Sequence, residues 1–263
     1  MVFVSLSPRG LPPAIRAWLT GAITAEPVNI ALDLLANLRD LGGLDTEAGG
    51  HTREGVLLRS AAPRPGDRRP GLSSWPPATV LDLRGPGELA GKPHPLAATG
   101  VVVHALPLLD REVHGGPTGT DWSKIPDLAT AYLGFLIRGG PKLAGLVELV
   151  AEADGPVLVH CAAGKDRTGV VIAVLLRAAG VTRAAVLEDY LRTEPELPAI
   201  LAREPELTTL ADPTHVQRLM GVPAEAMDAV LDLLDAAPGG AVGWLRGQGV
   251  SQRAVDTWRR RLV

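Results

Sequence analysis

A cysteine and an arginine separated by five residues form the pattern with the clearest chemical use in this sequence. Cys161 follows a short apolar segment, and Thr168 and Gly169 follow Arg167 at the start of an apolar stretch with helical spacing. In a loop of this length before a helix, several backbone N–H groups point toward one centre, and the helix dipole adds positive potential there. The spacing therefore predicts a phosphate-binding loop. Its other predicted ligands are Ala162, Ala163, Gly164, Lys165 and Asp166.

The same loop holds the groups that covalent phosphate transfer requires. The planar guanidinium of Arg167 binds two phosphate oxygens at once, and the positive potential favours the thiolate of Cys161. Attack of the thiolate on phosphorus gives a phosphocysteine, which water then hydrolyses. Thr168 is the candidate donor to the sulfur as it leaves. We therefore predict catalytic roles for Cys161, Arg167 and Thr168.

The leaving oxygen needs a proton, and the sequence offers several carboxyl groups as its source. Asp166 lies in the loop itself and is favoured, while Asp82 ends an apolar segment and is the second candidate. Each also has a structural interpretation, because Asp166 could cap the following helix and Asp82 could pair with Arg84. Asp110 or Asp121, in a later loop, is the third possibility.

The elements that position these residues alternate between strand and helix patterns. Short apolar segments rich in β-branched residues predict strands at 56–59, 78–84, 101–106 and 156–160. Helical spacing predicts helices at 30–41, 126–138, 142–153 and from Thr168 to about Ala179, with Gly139-Gly140-Pro141 separating the second from the third. This alternation is typical of a parallel sheet covered by helices. Ligands bind at the carboxyl ends of such strands.

Composition and length limit the class of protein. The chain has 263 residues, of which 46% are hydrophobic, so it can bury a substantial core. We expect an N-terminal arm at residues 1–28 and a single domain at 29–263. A net charge of -3 argues against a nucleic-acid partner, and the histidines show no ligand-like spacing. We therefore predict no metal and no cofactor.

The compartment is predicted from what the sequence lacks. Its single cysteine, Cys161, excludes an intramolecular disulfide. No secretory signal is evident, and the longest apolar run, 170–176, is too short to span a bilayer. These features predict a cytoplasmic protein without an integral membrane segment, with export by a non-classical route as the second possibility.

The loop sequence His160-Cys161-Ala-Ala-Gly-Lys-Asp-Arg167-Thr168-Gly169 resembles the Cys-x5-Arg signature of protein tyrosine phosphatases, and more narrowly the bacterial tyrosine phosphatase B type. Weaker similarities follow that family's order along the chain, at Asn37-Leu-Arg-Asp-Leu-Gly-Gly43, Arg59-Ser60, Asp82-Leu-Arg84, Asp189-Tyr190-Leu191 and Gly243-Trp244-Leu245. The resemblance implies an α/β fold with a central parallel sheet of about four strands flanked by helices, and a helical region after residue 190 that acts as a lid.

One landmark of many tyrosine phosphatases is absent, namely the mobile loop in which Trp-Pro-Asp supplies the general acid. Here Trp75 is followed by Pro76 and Pro77, without an acidic residue. The identity of the acid therefore stays open between Asp166, Asp82 and the later loop.

The resemblance implies a phosphatase that hydrolyses phosphate monoesters through a phosphocysteine. A phosphotyrosine protein or peptide is the favoured substrate, followed by phosphoserine, phosphothreonine and phosphoinositides. Lys165 keeps the lipids open, because lipid-active relatives share this lysine.

Two competing hypotheses assign the loop a different use. One is a phosphate-binding module with weak turnover, and the second is a sulfurtransferase or arsenate reductase-like enzyme. Loop length disfavours sulfur transfer, because sulfurtransferase-type loops are one residue shorter. The presence of one cysteine, Cys161, disfavours an arsenate reductase with a resolving thiol.

Overall fold

A five-stranded sheet forms the centre of the protein. The computed structural model describes residues 34–68, 71–89, 91–108, 125–203 and 220–263. Within these ranges the strands are β1 (Arg39–Asp40), β2 (Leu57–Ser60), β3 (Thr79–Asp82), β4 (Val102–Ala105) and β5 (Val157–His160). They lie in the order β1-β2-β5-β3-β4. The predicted four parallel strands are confirmed, and the short β1 adds an antiparallel edge beside β2.

Eight α-helices complete the described part of the fold. They are α1 (Pro86–Leu89), α2 (Leu128–Glu152), α3 (Asp166–Ala179), α4 (Arg183–Leu191), α5 (Leu197–Arg203), α6 (Ala224–Ala236), α7 (Gly240–Gly247) and α8 (Gln252–Leu262). Short 3-10 turns lie at Ala97–Thr99 and Glu194–Glu196. None of these helices is long and apolar enough to cross a membrane. The predicted lid falls partly on residues 204–219, outside the described residues, and stays a prediction.

Alternating side chains of the central strands divide the core into two layers. On one face Val157 and Val159 of β5 belong to the large core that α2, α3, α6 and α8 cover. On the other face Leu158 packs with Val80 under partly buried loop residues such as Trp75. This period of two is the expected result of a strand buried on both sides. The middle strand β5 is therefore held on both faces, and this fixes the position of the backbone at Cys161, which follows it.

The predicted helix over 30–41 is wrong for the residues that the structure describes there. Arg39 and Asp40 form β1 and pair with Arg59 and Leu58 of β2. Asn37 adopts a left-handed conformation with φ of 57°, which an α-helix does not allow. Helical spacing of apolar residues is misleading here, because polar contacts to distant segments determine the local conformation.

The predicted break between two helices at 139–141 is also wrong, because α2 is continuous through Pro141. Gly139 and Gly140 allow close approach rather than a turn. A Cβ on Gly139 would lie 2.8 Å from a methyl carbon of Leu108, and one on Gly140 would lie 2.2 Å from the side-chain oxygen of Gln248. Tertiary packing therefore overrides the local helix-breaking signal of this triplet.

Candidate active site

The loop that carries the cysteine begins at the carboxyl end of β5, between the ends of β2 and β3. Cys161 directly follows the strand and is buried, with 2% of its surface exposed. Helix α3 begins at Asp166, two residues earlier than predicted, so Arg167 lies in its first turn. Ala62 donates its backbone N–H to the carbonyl of Ala162 at 2.8 Å and joins the loop to the end of β2. The predicted position of the loop is confirmed.

Gly164 is required by the shape of the loop. Its φ is 67°, a left-handed conformation that side chains with a Cβ rarely adopt. A Cβ on Gly164 would also lie 2.2 Å from the carbonyl oxygen of Ser60. The loop thus presses its backbone directly against β2, and only glycine permits this approach.

Side chains from the β2 side hold the carbonyl groups of the loop. Asn37 donates from Nδ2 to Gly164 O at 2.9 Å and to Ala163 O at 3.3 Å. Arg59 donates from Nη2 to Gly164 O at 2.7 Å. These side chains bind only carbonyl oxygens of the loop. The backbone N–H groups of the loop take no part in these contacts.

Asp189 of α4 supplies the negative charge for this support. Its carboxylate lies 2.6 Å from Nε of Arg39 and 2.5 Å from Nη1 of Arg59. Burial alone would raise the pKa of Asp189, but the two guanidinium groups outweigh that cost and hold the pKa below its ordinary value. Burial and the neighbouring Arg59 lower the pKa of Arg39 to about 10. This ion cluster therefore supports the loop through the carbonyl groups on its outer side.

Arg167 is held from the opposite side by a glutamate that sequence reasoning missed. Its two terminal nitrogens donate to the two carboxylate oxygens of Glu88, on α1, at 2.6 and 2.7 Å. Burial would lower the pKa of Arg167, but the hydrogen bonds to Glu88 and the charge of Cys161 raise it above its ordinary value. Glu88 therefore fixes the plane of the guanidinium before any phosphate arrives. The nearby Asp82-Leu-Arg84 motif contains no signal that indicates a role for Glu88.

Asp82 forms the ion pair that the sequence offered as its structural interpretation. Its two oxygens accept from Nε and Nη2 of Arg84 at 2.9 and 2.6 Å. Burial would raise the pKa of Asp82, but the hydrogen bonds from Arg84 and the neighbouring His160 keep it below the ordinary value. Both oxygens are thus committed to a cation, which favours a supporting role over proton donation.

Asp166 has a different environment. Its Oδ1 accepts from the hydroxyl of Tyr132 at 2.8 Å and lies 3.3 Å from Nζ of Lys165. The helix-cap interpretation is wrong, because Lys165 occupies the N-cap position of α3 and no side chain caps it. Tyr132, on α2, also contacts the hydroxyl of Tyr190 at 3.0 Å. Sequence reasoning missed Tyr132, since one tyrosine in an apolar helix resembles any core residue.

Lys165 and Thr168 are both more enclosed than their sequence context suggests. Lys165 is buried, and its ammonium donates to the carbonyl of Gly221 at 2.9 Å. Thr168 is buried in α3, and its hydroxyl has no hydrogen-bond partner among the described residues. A buried hydroxyl without a partner is costly. It fits the predicted donor to the sulfur, whose contact forms during the reaction.

His160 connects the nucleophile to a second histidine, His94, for which the sequence gives no signal. Nδ1 of His160 lies 3.0 Å from the carbonyl oxygen of Cys161, and its Nε2 lies 3.0 Å from Nε2 of His94. Burial lowers the pKa of His160 to about 4. With Asp82 the two histidines bring three metal-ligand side chains together, the one such group found within the described ranges. The predicted absence of a metal stays a prediction.

The structure thus brings Cys161, the residues up to Thr168, and Asp82 into one region. Asp110 and Asp121, the third candidates for the general acid, lie outside the described residues.

Comparison with known proteins identifies the family. The family described as "Tyrosine phosphatase family" matches residues 30–263. This chain belongs to the tyrosine phosphatase family. As a member it is a hydrolase of phosphate monoesters, and the phosphocysteine route predicted from the loop is the general one in the family. The resemblance inferred from the motifs is confirmed over almost the same span.

Individual relatives of this phosphatase agree with the family assignment. The chain is 31% identical to "Triple specificity protein phosphatase PtpB" from Mycobacterium tuberculosis, across 85% of this chain and 95% of the relative. It is 31% identical to a putative tyrosine-protein phosphatase from Cupriavidus necator, with 83% of each chain covered. A "Tyrosine-protein phosphatase" from Nostoc commune is 32% identical over 53% of this chain and 51% of its own.

Proposed function

We propose that this phosphatase hydrolyses phosphotyrosine in proteins or peptides, with Cys161 as the nucleophile and Arg167 as the phosphate clamp. One observation carries the proposal. The thiol stands at the start of a loop whose far end holds an arginine already oriented by Glu88. A fixed guanidinium lowers the cost of organising the site around a phosphoryl group.

The reaction proceeds in two balanced steps. In the first, the thiolate of Cys161 attacks phosphorus, the bond to the ester oxygen breaks, and a carboxyl group protonates that oxygen. In the second, the carboxylate left by the first step takes a proton from water as that water attacks the phosphocysteine, the S–P bond breaks, and phosphate and the thiolate are released. The hydroxyl of Thr168 donates a hydrogen bond to the departing sulfur, which explains why a buried hydroxyl is kept with no other partner among the described residues.

Asp166 is the proposed general acid, and its surroundings support it over Asp82. The hydroxyl of Tyr132 and the ammonium of Lys165 both approach Oδ1, so Oδ2 takes part in neither contact. Asp82 instead has both oxygens bonded to Arg84. A carboxyl group with one oxygen held, and with no hydrogen bond to the second from the described residues, can exchange a proton without losing its orientation.

Phosphate esters besides phosphotyrosine are compatible with the same mechanism. The name of the relative PtpB includes triple specificity, which supports assays with phosphoserine, phosphothreonine and phosphoinositides. The argument for phosphoinositides depends on Lys165 as a cation at the mouth of the site. Its burial and its bond to Gly221 weaken that argument. We therefore place phosphotyrosine first.

A substrate panel tests this proposal. Steady-state kcat/KM would be measured with a phosphotyrosine peptide, matched phosphoserine and phosphothreonine peptides, and phosphoinositide vesicles. We expect the highest value for phosphotyrosine and no turnover of any substrate by Cys161→Ser. A higher kcat/KM for phosphoinositides would transfer the assignment to lipids, and turnover by the serine variant would refute the nucleophile.

Two further predictions about the whole chain stay proposals. Residues 29–263 are proposed as a single phosphatase domain, which the family match over 30–263 supports. The arm proposed at residues 1–28 lies outside the described residues. Limited proteolysis followed by mass spectrometry tests this boundary. A cytoplasmic location, with non-classical export as the second possibility, is supported by the single cysteine, and cell fractionation tests it.

A further inference from the structure

Two buried histidines form a hydrogen-bonded chain that ends at the nucleophile. The backbone N–H of Leu96 donates to Nδ1 of His94 at 3.1 Å. Nε2 of His94 and Nε2 of His160 lie 3.0 Å apart, and Nδ1 of His160 lies 3.0 Å from the carbonyl oxygen of Cys161. The ring centroids are 5.1 Å apart. Every nitrogen of the pair therefore has a partner, and each partner restricts where the protons are.

The protons of this chain have one consistent arrangement. A neutral imidazole has one N–H donor and one bare nitrogen acceptor. The backbone N–H of Leu96 can only donate here, so Nδ1 of His94 is bare and its proton is on Nε2. The Cys161 carbonyl can only accept, so His160 has its proton on Nδ1 and accepts from His94 on Nε2. The reverse arrangement would place two donors together at Leu96 and two acceptors together at Cys161.

From this geometry we propose that His94 is a positioning residue of the catalytic loop. It donates to His160 and fixes that ring as the Nδ1–H tautomer, which in turn donates to the carbonyl of Cys161. A carbonyl that receives a hydrogen bond presents less negative potential to the neighbouring sulfur, so the chain favours the thiolate. The proposal rests on the proposed role of Cys161 as nucleophile, but the tautomers themselves do not depend on turnover.

The donors do not fit a metal site at the same cluster. A metal bound by both Nε2 atoms would need a bare Nε2 on His94, and therefore a proton on Nδ1 facing the N–H of Leu96. Asp82 would also have to leave Arg84, which holds both of its oxygens. Its nearer oxygen lies 3.7 Å from Nε2 of His160, beyond hydrogen-bond distance.

Burial keeps the pair neutral, because it is the largest influence on both rings and lowers the pKa of His94 and of His160. Among the charged neighbours, Asp82 faces both rings and raises both pKa values, and Arg84 lowers them by less. A proton added to either ring would put two N–H groups face to face, so the chain exists only while both are neutral.

Nitrogen NMR on the full-length protein tests the proton arrangement directly. With ¹⁵N-labelled histidine, long-range spectra distinguish the two neutral tautomers, and His94→Gln and His160→Gln assign the signals of the two rings. We expect Nε2–H for His94, Nδ1–H for His160, and a nitrogen–nitrogen coupling across their hydrogen bond. Nε2–H on His160 would overturn the proposal. So would stoichiometric Zn²⁺ binding in calorimetry that is lost in His94→Gln.

Kinetics test the effect on the nucleophile. We expect His94→Leu to lower kcat/KM for p-nitrophenyl phosphate about tenfold, the size of one lost buried hydrogen bond, and to slow alkylation of Cys161 by iodoacetamide at pH 6. His94→Gln should restore most of both, because its amide can donate to His160. The control His104→Leu, on β4, should change neither. Unchanged alkylation in a folded His94→Leu would overturn the proposal, whereas failure of Cys161 itself would appear as turnover in Cys161→Ser.

Discussion

The strands on the two sides of β5 support the phosphate loop in different ways. From the β2 side, Arg59 donates to a loop carbonyl, and the buried carboxylate of Asp189 balances the charge of Arg59. From the β3 side, Glu88 holds Arg167, and His94 reaches the nucleophile through a second histidine. The first support contacts only the backbone of the loop. The second contacts groups that bind phosphate or activate sulfur, so we expect damage to the two sides to differ in kind.

The largest expected effect lies on the β2 side. Asp189→Asn leaves Arg39 and Arg59 buried with less than their full counter-charge, which costs about 3–5 kcal/mol in the free energy of unfolding. Asp235→Asn is the matched control, because Asp235 also pairs with two arginines but is partly exposed. It should cost at most about 1 kcal/mol. Urea unfolding measures both, and equal costs for the two variants would contradict the structural role of the β2 side.

On the β3 side the expected effect is on catalysis. Arg167→Lys keeps the charge but loses the two-pronged grip, so kcat should fall about 10²–10³-fold, as for other lost transition-state donors. Glu88→Gln leaves the guanidinium less well oriented and should lower kcat/KM about tenfold, the size of one weakened buried hydrogen bond. Both variants should unfold at urea concentrations closer to wild type than Asp189→Asn does. A lysine variant with wild-type kinetics would show that Arg167 does not grip phosphate.

The β3 side should lose its contribution to stability at a higher pH than the β2 side. The pKa of His160 is about 4 in the folded protein against 6.5 as its ordinary value. The contribution of His160 to the free energy of unfolding is therefore fully present above pH 6.5 and is lost as the pH falls toward 4, a change on the order of 3 kcal/mol. Asp189 has a lowered pKa, so its contribution to the free energy of unfolding is lost only below about pH 3.8. Urea unfolding from pH 7 to 4 should show this loss in wild type.

The control for the acid prediction is His160→Gln, which has no proton to gain in this range. Its stability should vary less with pH between 6.5 and 4. Asp82, Arg84 and His94 face the same ring and remain in both proteins. An identical pH slope in the two proteins would assign the acid sensitivity to other groups.

With p-nitrophenyl phosphate as substrate, the smallest expected effect comes from removing the general acid. The size of that effect depends on the leaving group. Asp166→Asn should slow an alkyl phosphate about 10²-fold but p-nitrophenyl phosphate only slightly, because a nitrophenolate leaves without a proton. Asp82→Asn should slow both substrates alike by loosening Arg84. If Asp82→Asn shows the leaving-group dependence instead, the two roles must be exchanged. If neither does, the acid lies elsewhere, with Asp110 and Asp121 as the next candidates.

Local patterns predict the part of this site that lies in one continuous segment. The loop from Cys161 to Arg167, the strand before it and the helix after it are all foreseeable, because spacing and periodicity determine them. The pairing of Asp82 with Arg84 is also foreseeable, since the two residues are neighbours at a strand end. These contacts span a few residues, so the sequence contains most of their geometry.

Contacts between distant segments are not foreseeable to the same degree. Glu88 and His94 lie beside the loop because β3 pairs with β5, and neither has a distinctive local motif. Arg59 and Asp189 belong to family-like motifs, but their shared ion cluster joins residues far apart in the chain. The same cause makes residues 34–41, the described part of the predicted 30–41 helix, depart from the helical pattern, because Asn37 is bound to the loop by hydrogen bonds.

The central claim is that Cys161 carries the phosphoryl group during turnover. Rapid quenching of the wild-type enzyme and p-nitrophenyl phosphate in alkaline detergent, in which an S–P bond survives, followed by peptide mass spectrometry at neutral to alkaline pH, tests it most directly. The account predicts one phosphoryl group on the Cys161 peptide during turnover, and neither label nor activity in Cys161→Ser. Phosphate found on another residue, or a serine variant that keeps more than a few per cent of wild-type activity, would contradict it.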